Sequence, residues 1–255
     1  MIHQPTPPKP TEEEPWIEVI ERPQDVVAGF DCASKAFGEQ TRDAVWIAMN
    51  PEWDKDGPEG RTRAAARMVE QWRQKSYDNN GNANTVFLKA TLPNQGQRQV
   101  VGIAIWTQFS MVEGRGSRPP DDPCEPLSLD KLYADNEIEQ RFLSQVFRSF
   151  FRRRGEVIKE KETSEPPSLM HLELCVVDPA HQRKGAASKL VQWGLDEARR
   201  RGGLEATTEA SSMGRHVYRR LGFRGEGSDI KYQVDNEFIA RELPPNLFMR
   251  TGVSQ

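Results

Sequence analysis

A chain of 255 residues can bury a substantial core, and at this length one domain with insertions is as expected as two. Its net charge of −3 gives no general affinity for nucleic acid, and no run of apolar residues approaches the length of a membrane span. Three scattered cysteines (Cys32, Cys124, Cys175) and four well-separated histidines exclude a disulfide scaffold and show no metal-ligand spacing, so no metal is expected. The N-terminus lacks a basic region and an apolar core for secretion, so the expected setting is soluble and cytoplasmic.

Residues 1–14, MIHQPTPPKPTEEE, are proline-rich and then acidic, which predicts a disordered arm before a single domain spanning 15–255. Trp16, Ile17, Val19 and Ile20 suit a first strand. Val26, Val27, Phe30, Ala33 and Phe37 space an amphipathic helix over residues 25–40, and residues 51–60 have loop composition. A second helix is predicted over 61–75, with Ala65, Met68, Val69 and Trp72 on one side. Residues 79–84 are turn-formers. Paired strands follow at 85–92 and 99–109, joined through Pro93-Asn94-Gln95-Gly96, with Val101, Ile103 and Ile105 alternating against Gly102, Ala104 and Trp106.

An insertion runs from 110 to 168. Its first part, to Pro126, is rich in Gly, Pro and Asp and predicts a mobile loop. From about 128 to 154 a helix is expected, because Ile138, Phe142, Val146 and Phe150, with Leu143, Phe147 and Phe151, form a wide apolar stripe. That stripe reads as core, with a lid over a binding site or a homodimer contact as the alternatives. Arg148, Arg152, Arg153 and Arg154 read as a cluster facing solvent or phosphate.

The most informative stretch is residues 169–202. Leu172, Leu174, Cys175, Val176 and Val177 make a nearly continuous apolar run, the pattern of a strand covered on both faces. Asp178-Pro179 ends it. A basic turn follows, and then a helix whose Ala187, Leu190, Val191, Gly194, Leu195 and Ala198 share one face, closed by Gly202-Gly203. The first amides of such a helix lack intrahelical partners and sit at the positive end of its dipole. Gly185, Ala186 and Ala187 leave the backbone open there, and Arg183 and Lys184 add charge. Either a phosphate or pyrophosphate binds at this turn, or it is an ordinary strand–turn–helix joint. Neither the P-loop pattern nor G-x-G-x-x-G is present. Further strands are predicted at 204–209, 230–234 and 247–250, and a short helix at 212–221.

Gln182-Arg183-Lys184-Gly185-Ala186-Ala187 resembles the Q/R-x-x-G-x-G/A signature of the GNAT N-acetyltransferases. The preceding strand and the downstream Tyr218-Arg219-Arg220-Leu221-Gly222-Phe223 are similar to that family in order and spacing. The resemblance covers residues 169–223 and extends to the strands near 84–109; more narrowly it is to fungal members of unassigned substrate. It implies an α/β (α+β) fold: a mixed, mostly antiparallel sheet flanked by helices, here with a helical insertion before the cofactor-binding strand. It also implies that the first two helices lie near the acceptor pocket and that acetyl-coenzyme A is the co-substrate. Cys175 and Val177 would pair with its pantetheine arm, an amide near Val176 would hold the oxyanion, and Gln182 to Ser188 (Gln182, Arg183, Lys184, Gly185, Ala186, Ala187, Ser188) would take the pyrophosphate.

Acetyl transfer to an amine needs a base for the amine and an acid for the leaving thiolate. Strand alternation puts His171 and Glu173 on the same side as Cys175, and both are candidate bases, with Glu209 on the next strand a third. Tyr218 has the spacing of a family tyrosine near the thioester sulfur, where a phenol can donate a proton. Cys175 as a nucleophile in a two-step route is the rival to direct attack. Where many relatives carry an asparagine, Glu209-Ala210-Ser211-Ser212 stands here. The expected function is therefore acetyl-coenzyme A-dependent N-acetylation of a primary amine, a small molecule rather than a protein. A coenzyme A-binding sensor without turnover is the alternative.

Overall fold

The structure, a computed structural model, describes residues 14–252; the expected N-terminal arm lies outside these except for Glu14. In chain order the elements are β1 (Trp16–Val19), α1 (Pro23–Ala33), a π-helical segment (Ser34–Gln40), α2 (Ala44–Met49), α3 (Gly57–Arg73), β2 (Thr85–Asn94) and β3 (Gln97–Phe109). Then come α4 (Leu129–Leu132), α5 (Glu137–Glu160), β4 (Leu169–Val177), α6 (Ala186–Arg200), β5 (Glu205–Ala210), α7 (Arg215–Arg220), β6 (Arg224–Gly225) and β7 (Leu247–Arg250). The strands form one seven-stranded sheet in the order β1-β2-β3-β4-β5-β7-β6. Only β4 and β5 run parallel, so the sheet is mixed and mostly antiparallel, as expected.

The β2–β3 hairpin closes through Gln95 and Gly96, both at positive φ (49° and 80°). That is the turn whose twist matches the flanking strands. β3 supplies the middle of the core, where Val101, Ile103, Ala104, Ile105 and Trp106 are all at most 3 % exposed. One face of the sheet packs Trp106, Met170 and Leu172 against Leu190, Val191 and Ala198 of α6. At Gly194 a Cβ would stand 2.0 Å from the Trp106 ring, so this helix reaches the sheet only with glycine there. The opposite face sets Phe87, Ile103 and Ile105 beneath Val26 and Phe30 of α1, Ala65 and Val69 of α3, and Trp46 of α2.

Two predicted elements change form. The helix expected over 128–154 is split into α4 and α5, because Asn136 caps α5 by accepting from the Glu139 N–H at 3.0 Å, and α5 then runs six residues past Arg154. Its apolar stripe is core: Phe142, Leu143, Val146 and Phe147 pack with Val45, Leu129 and Phe238. The strand expected at 230–234 does not form. Its alternation is satisfied by packing Ile230, Tyr232 and Val234 on α5. Ile230 N–H donates to Asn246 O at 2.7 Å, while Gln233 N–H and the adjoining Asp235 N–H go to α5 side chains, Ser149 Oγ and Gln145 Oε1, both at 2.9 Å. The sheet's last strand pair is instead β6 with β7.

The feature that makes a site is the centre of β4. Its register on β3 shifts between Ile105↔Leu174 and Trp106↔Leu172, leaving Glu173 as the extra residue of a bulge. Pairing with β5 extends only from Leu169↔Glu205 to Leu172↔Thr208. Beyond it the two strands part, and the free edge of β4 opens into a cleft.

Candidate active site

The cleft has a volume of about 2070 Å³ and runs from the basic turn to the wall formed by α2 and α5. Its first half is built by the turn after β4. Asp178 accepts from Ala180 N–H at 2.9 Å and starts a 3-10 turn, Pro179–His181. Arg183 (φ 62°) and Gly185 (φ 85°) then reverse the chain into α6, and a Cβ at Gly185 would meet nothing within 4 Å. Among the described residues, no acceptor takes the N–H groups of residues 183–188. Arg183, Lys184, Gly185 and Ser188 are exposed, Ala187 half-buried and Ala186 buried. This is an open array of amides at a helix N-terminus flanked by two cations, which fits an anionic phosphate. The Gln182 side chain is already engaged: its Nε2 donates to Val177 O (3.2 Å) and to Gln40 Oε1 (2.8 Å).

The ladder fixes which backbone groups of β4 face the cleft. Asp178 N–H donates to Val101 O at 2.8 Å, so the pairs alternate from there: Ile103↔Val176 faces inward, while Cys175 and Val177 present N–H and C=O to the free edge. The expectation for Val176 is thereby corrected. Its amide is turned toward β3, and the amides available to an oxyanion or an extended ligand arm are those of Cys175 and Val177.

The bulge also corrects the facing of His171. The extra residue shifts the alternation by one, so Met170, Leu172, Cys175 and Val177 share the α6 face, whereas Leu169 and His171 lie on the α5 face. His171 is fully buried and does not line the cleft. Its Nδ1 pairs with Thr207 Oγ1 at 2.8 Å, and Nε2 is 3.1 Å from Glu209 Oε2 without hydrogen-bond alignment. Burial, reinforced by the Arg154 charge, lowers its pKa against the pull of Glu209, so the ring is held neutral. Glu209 does border the cleft, locked by Arg154 through Nε–Oε1 (3.0 Å) and a second Nη2–Oε2 bond. Burial opposes its ionisation, but the Arg154 charge prevails and its pKa falls to about 2, which makes it a poor proton acceptor. Arg154 therefore does not face solvent as the sequence suggested; of the others, Arg148 pairs with Asp122 and Arg153 with Glu156, Glu160 and Glu226, while Arg152 makes no ion pair among the described residues.

Glu173 stands differently. It is exposed in the cleft and, among the described residues, makes no hydrogen bond or ion pair. Across from it Tyr218 is buried on α7, its ring packed on Phe223 at 5.7 Å and over Gly214, with its hydroxyl bonded to no described residue. Burial, and then the neighbouring Cys175, raises the phenol well above its ordinary pKa, keeping it protonated. Burial likewise pushes the Cys175 thiol up to about 12, so it does not supply a thiolate nucleophile. Ser211 and Ser212, in place of the family asparagine, also border the cleft.

The far half was not legible. Phe37, Trp46, Phe109, Phe150 and Phe151 come from four different elements to line it. Phe37, Phe150 and Phe151 sit on apolar helix stripes in the sequence, the last two with a lid as the alternative, and Trp46 falls in no predicted element; no local signal separates a core aromatic from one that walls a cleft. No group of three or more His, Cys, Asp or Glu among the described residues is arranged to hold a metal ion, and no described helix is long and apolar enough to cross a membrane.

Residues 149–223 match the acetyltransferase (GNAT) family. No curated protein matches the chain. Among solved structures, it is similar to a histone acetyltransferase HPA2 and related acetyltransferase from Corynebacterium glutamicum (16 % identity, 95 % of this chain and 98 % of that one, TM-score 0.50). It is similar also to arylalkylamine N-acetyltransferase 2 from Aedes aegypti (14 % identity, 92 % and 97 %, TM-score 0.53). At these identities the similarity shows a shared fold, and residues 149–223, which span the turn, the α6 helix and Tyr218, carry the match to the acetyltransferase (GNAT) family.

Proposed function

We propose that this protein transfers an acetyl group from acetyl-coenzyme A to a small primary amine by direct attack, both substrates being bound together. The observation that carries the reading is Glu173: an unpaired carboxylate on a bulge, placed in the cleft between the free edge of β4 and the aromatic wall. The donor substrate fits the residues present. The free amides of 183–188 with Arg183 and Lys184 hold its pyrophosphate, and the outward N–H and C=O groups of Cys175 and Val177 accept its extended arm as an added strand would. The thioester is the chemistry it brings.

Glu173, with no cation paired to it, takes the proton from the incoming ammonium group, directly or through water. The outward amides of β4 meet the negative charge that grows on the acyl oxygen. Tyr218, protonated and with its hydroxyl bonded to no described residue, donates to the departing sulfur. His171 and Glu209 are assigned no proton transfer, since one is sealed from the cleft and the other is held as a carboxylate by Arg154. The cleft's aromatic lining suits a small amine with an apolar body.

The reading is tested by thermal unfolding with and without acetyl-coenzyme A in wild type and Gly185→Glu, followed by an amine screen. A ligand at a hundredfold excess over its dissociation constant adds about 2.7 kcal/mol to stability. The expected result is a shift in wild type that the variant loses. No shift at millimolar ligand excludes the proposal, and a shift with no turnover on any amine favours a coenzyme A-binding sensor.

A further inference from the structure

The π-helical segment does something the motif does not describe. In it Thr41 N–H donates to Ala36 O at 3.0 Å, an i to i−5 bond, and the widened turn delivers Gln40 to the loop after β4. There the two glutamines exchange hydrogen bonds in both directions, Gln182 Nε2 to Gln40 Oε1 at 2.8 Å and Gln40 Nε2 to Gln182 Oε1 at 3.2 Å. Gln182 at the same time donates to Val177 O at the end of β4. One turn earlier on the same helix, Lys35 Nζ reaches Asp178 Oδ2 at 3.0 Å. That carboxylate is buried and also accepts from Ala180 N–H, which starts the turn. The helix is thus fastened at two points to the two ends of the turn that presents the free amides.

The same segment carries Phe37, which lines the aromatic half of the cleft and packs on Trp46 with ring centroids 6.3 Å apart. One rigid piece of chain therefore touches both halves of the site. We propose that Gln40 is a positioning residue: by holding Gln182 against Val177 O it sets the amides of 183–188 for the pyrophosphate, and it couples that turn to the acceptor wall through Phe37. The inference rests on the function proposed above, because it assumes that coenzyme A occupies the turn.

The test is a double-mutant cycle on the full chain with coenzyme A as the probe, read by calorimetry. Gln40→Met keeps the side chain's length, removes both hydrogen bonds and lies at an exposed position, so the fold is retained. Gln40→Met and Gln182→Met should each raise the dissociation constant about fivefold, and the double variant should be no worse than either alone. In turnover, Gln40→Met should raise KM for acetyl-coenzyme A with kcat within twofold of wild type. Binding of Gln40→Met within twofold of wild type, or effects that multiply in the double variant, overturns the positioning role. So does a variant that only lowers the melting point of the free protein. If wild type itself binds no coenzyme A, the proposed function fails and takes this inference with it, an outcome distinct from equal binding by wild type and variant.

Discussion

Two regions of the sheet, under α6 and under the C-terminal half of α5, are sealed in different ways. Under α6 the contact is apolar throughout: Trp106, Met170 and Leu172 meet Leu190, Val191 and Ala198. Under the C-terminal half of α5, Val157 and Ile158 pack on Leu169 and Phe248, but an ionic cluster stands beside them. Arg154, Glu209, His171 and Thr207 form one buried chain of contacts, and Lys161 and Arg250 close on Glu205 beside it. Apolar burial is non-directional and tolerates imprecision, whereas a buried ion pair returns its desolvation cost only when each partner is in place. The α6 contact therefore supports the turn that every ligand-binding proposal above depends on, and the α5 contact fixes where the aromatic wall of the cleft stands.

The largest expected effect separates chemistry from this framework. Glu173→Gln should lower kcat by about a hundredfold or more while coenzyme A binding stays within twofold, checked by steady-state kinetics beside calorimetry. Equal kcat would move the base elsewhere and reopen the case for Glu209.

Next come the two regions themselves. Arg154→Leu strands a buried carboxylate and should cost about 3–5 kcal/mol in urea unfolding, whereas Arg154→Leu with Glu209→Leu should regain most of that loss. Leu190→Ala under α6 should cost about 2–5 kcal/mol with no such rescue available, since a cavity has no partner to remove. If the double variant on the α5 face is no more stable than the single, the ion pair is not what holds that face.

Acid should find the α5 face first. Both His171 and Glu209 have folded pKa values below their unfolded ones, so each contributes stability that is present at high pH and lost as pH falls. For His171 the loss begins as pH drops below about 6.5, where the unfolded chain starts to bind the proton. For Glu209 it runs from about 4.5, its unfolded value, to its folded value of about 2. Melting temperature against pH should fall through the upper window in wild type and be flatter there in His171→Asn. The smallest effect is expected at the turn: Gly185→Ala must hold φ near 85° and should cost about 1 kcal/mol, with no clash to add to it.

The amino-acid sequence by itself determined the α6 half. Val176 and Val177 running into Asp178-Pro179, the basic turn with Gly185, and the i, i+3, i+4 stripe of α6 are local patterns, because strand, turn and helix N-terminus each depend on neighbours within a few residues. Tyr218 was singled out differently, by resemblance to a family tyrosine at the same spacing from Gly222-Phe223. Tertiary structure decided the rest. The bulge at Glu173 sent His171 to the opposite face from Cys175, since one extra residue reverses a period of two, and the ladder running back from Asp178 turned the Val176 amide toward β3; only pairing with β3 shows either. Arg154 meets Glu209 across 55 residues, His171 meets Thr207 across 36, and Gln40 meets Gln182 across 142. Charge and hydrogen-bond partners that distant leave no periodic trace in the chain, because what selects them is position in the folded sheet and not the identity of the residues beside them.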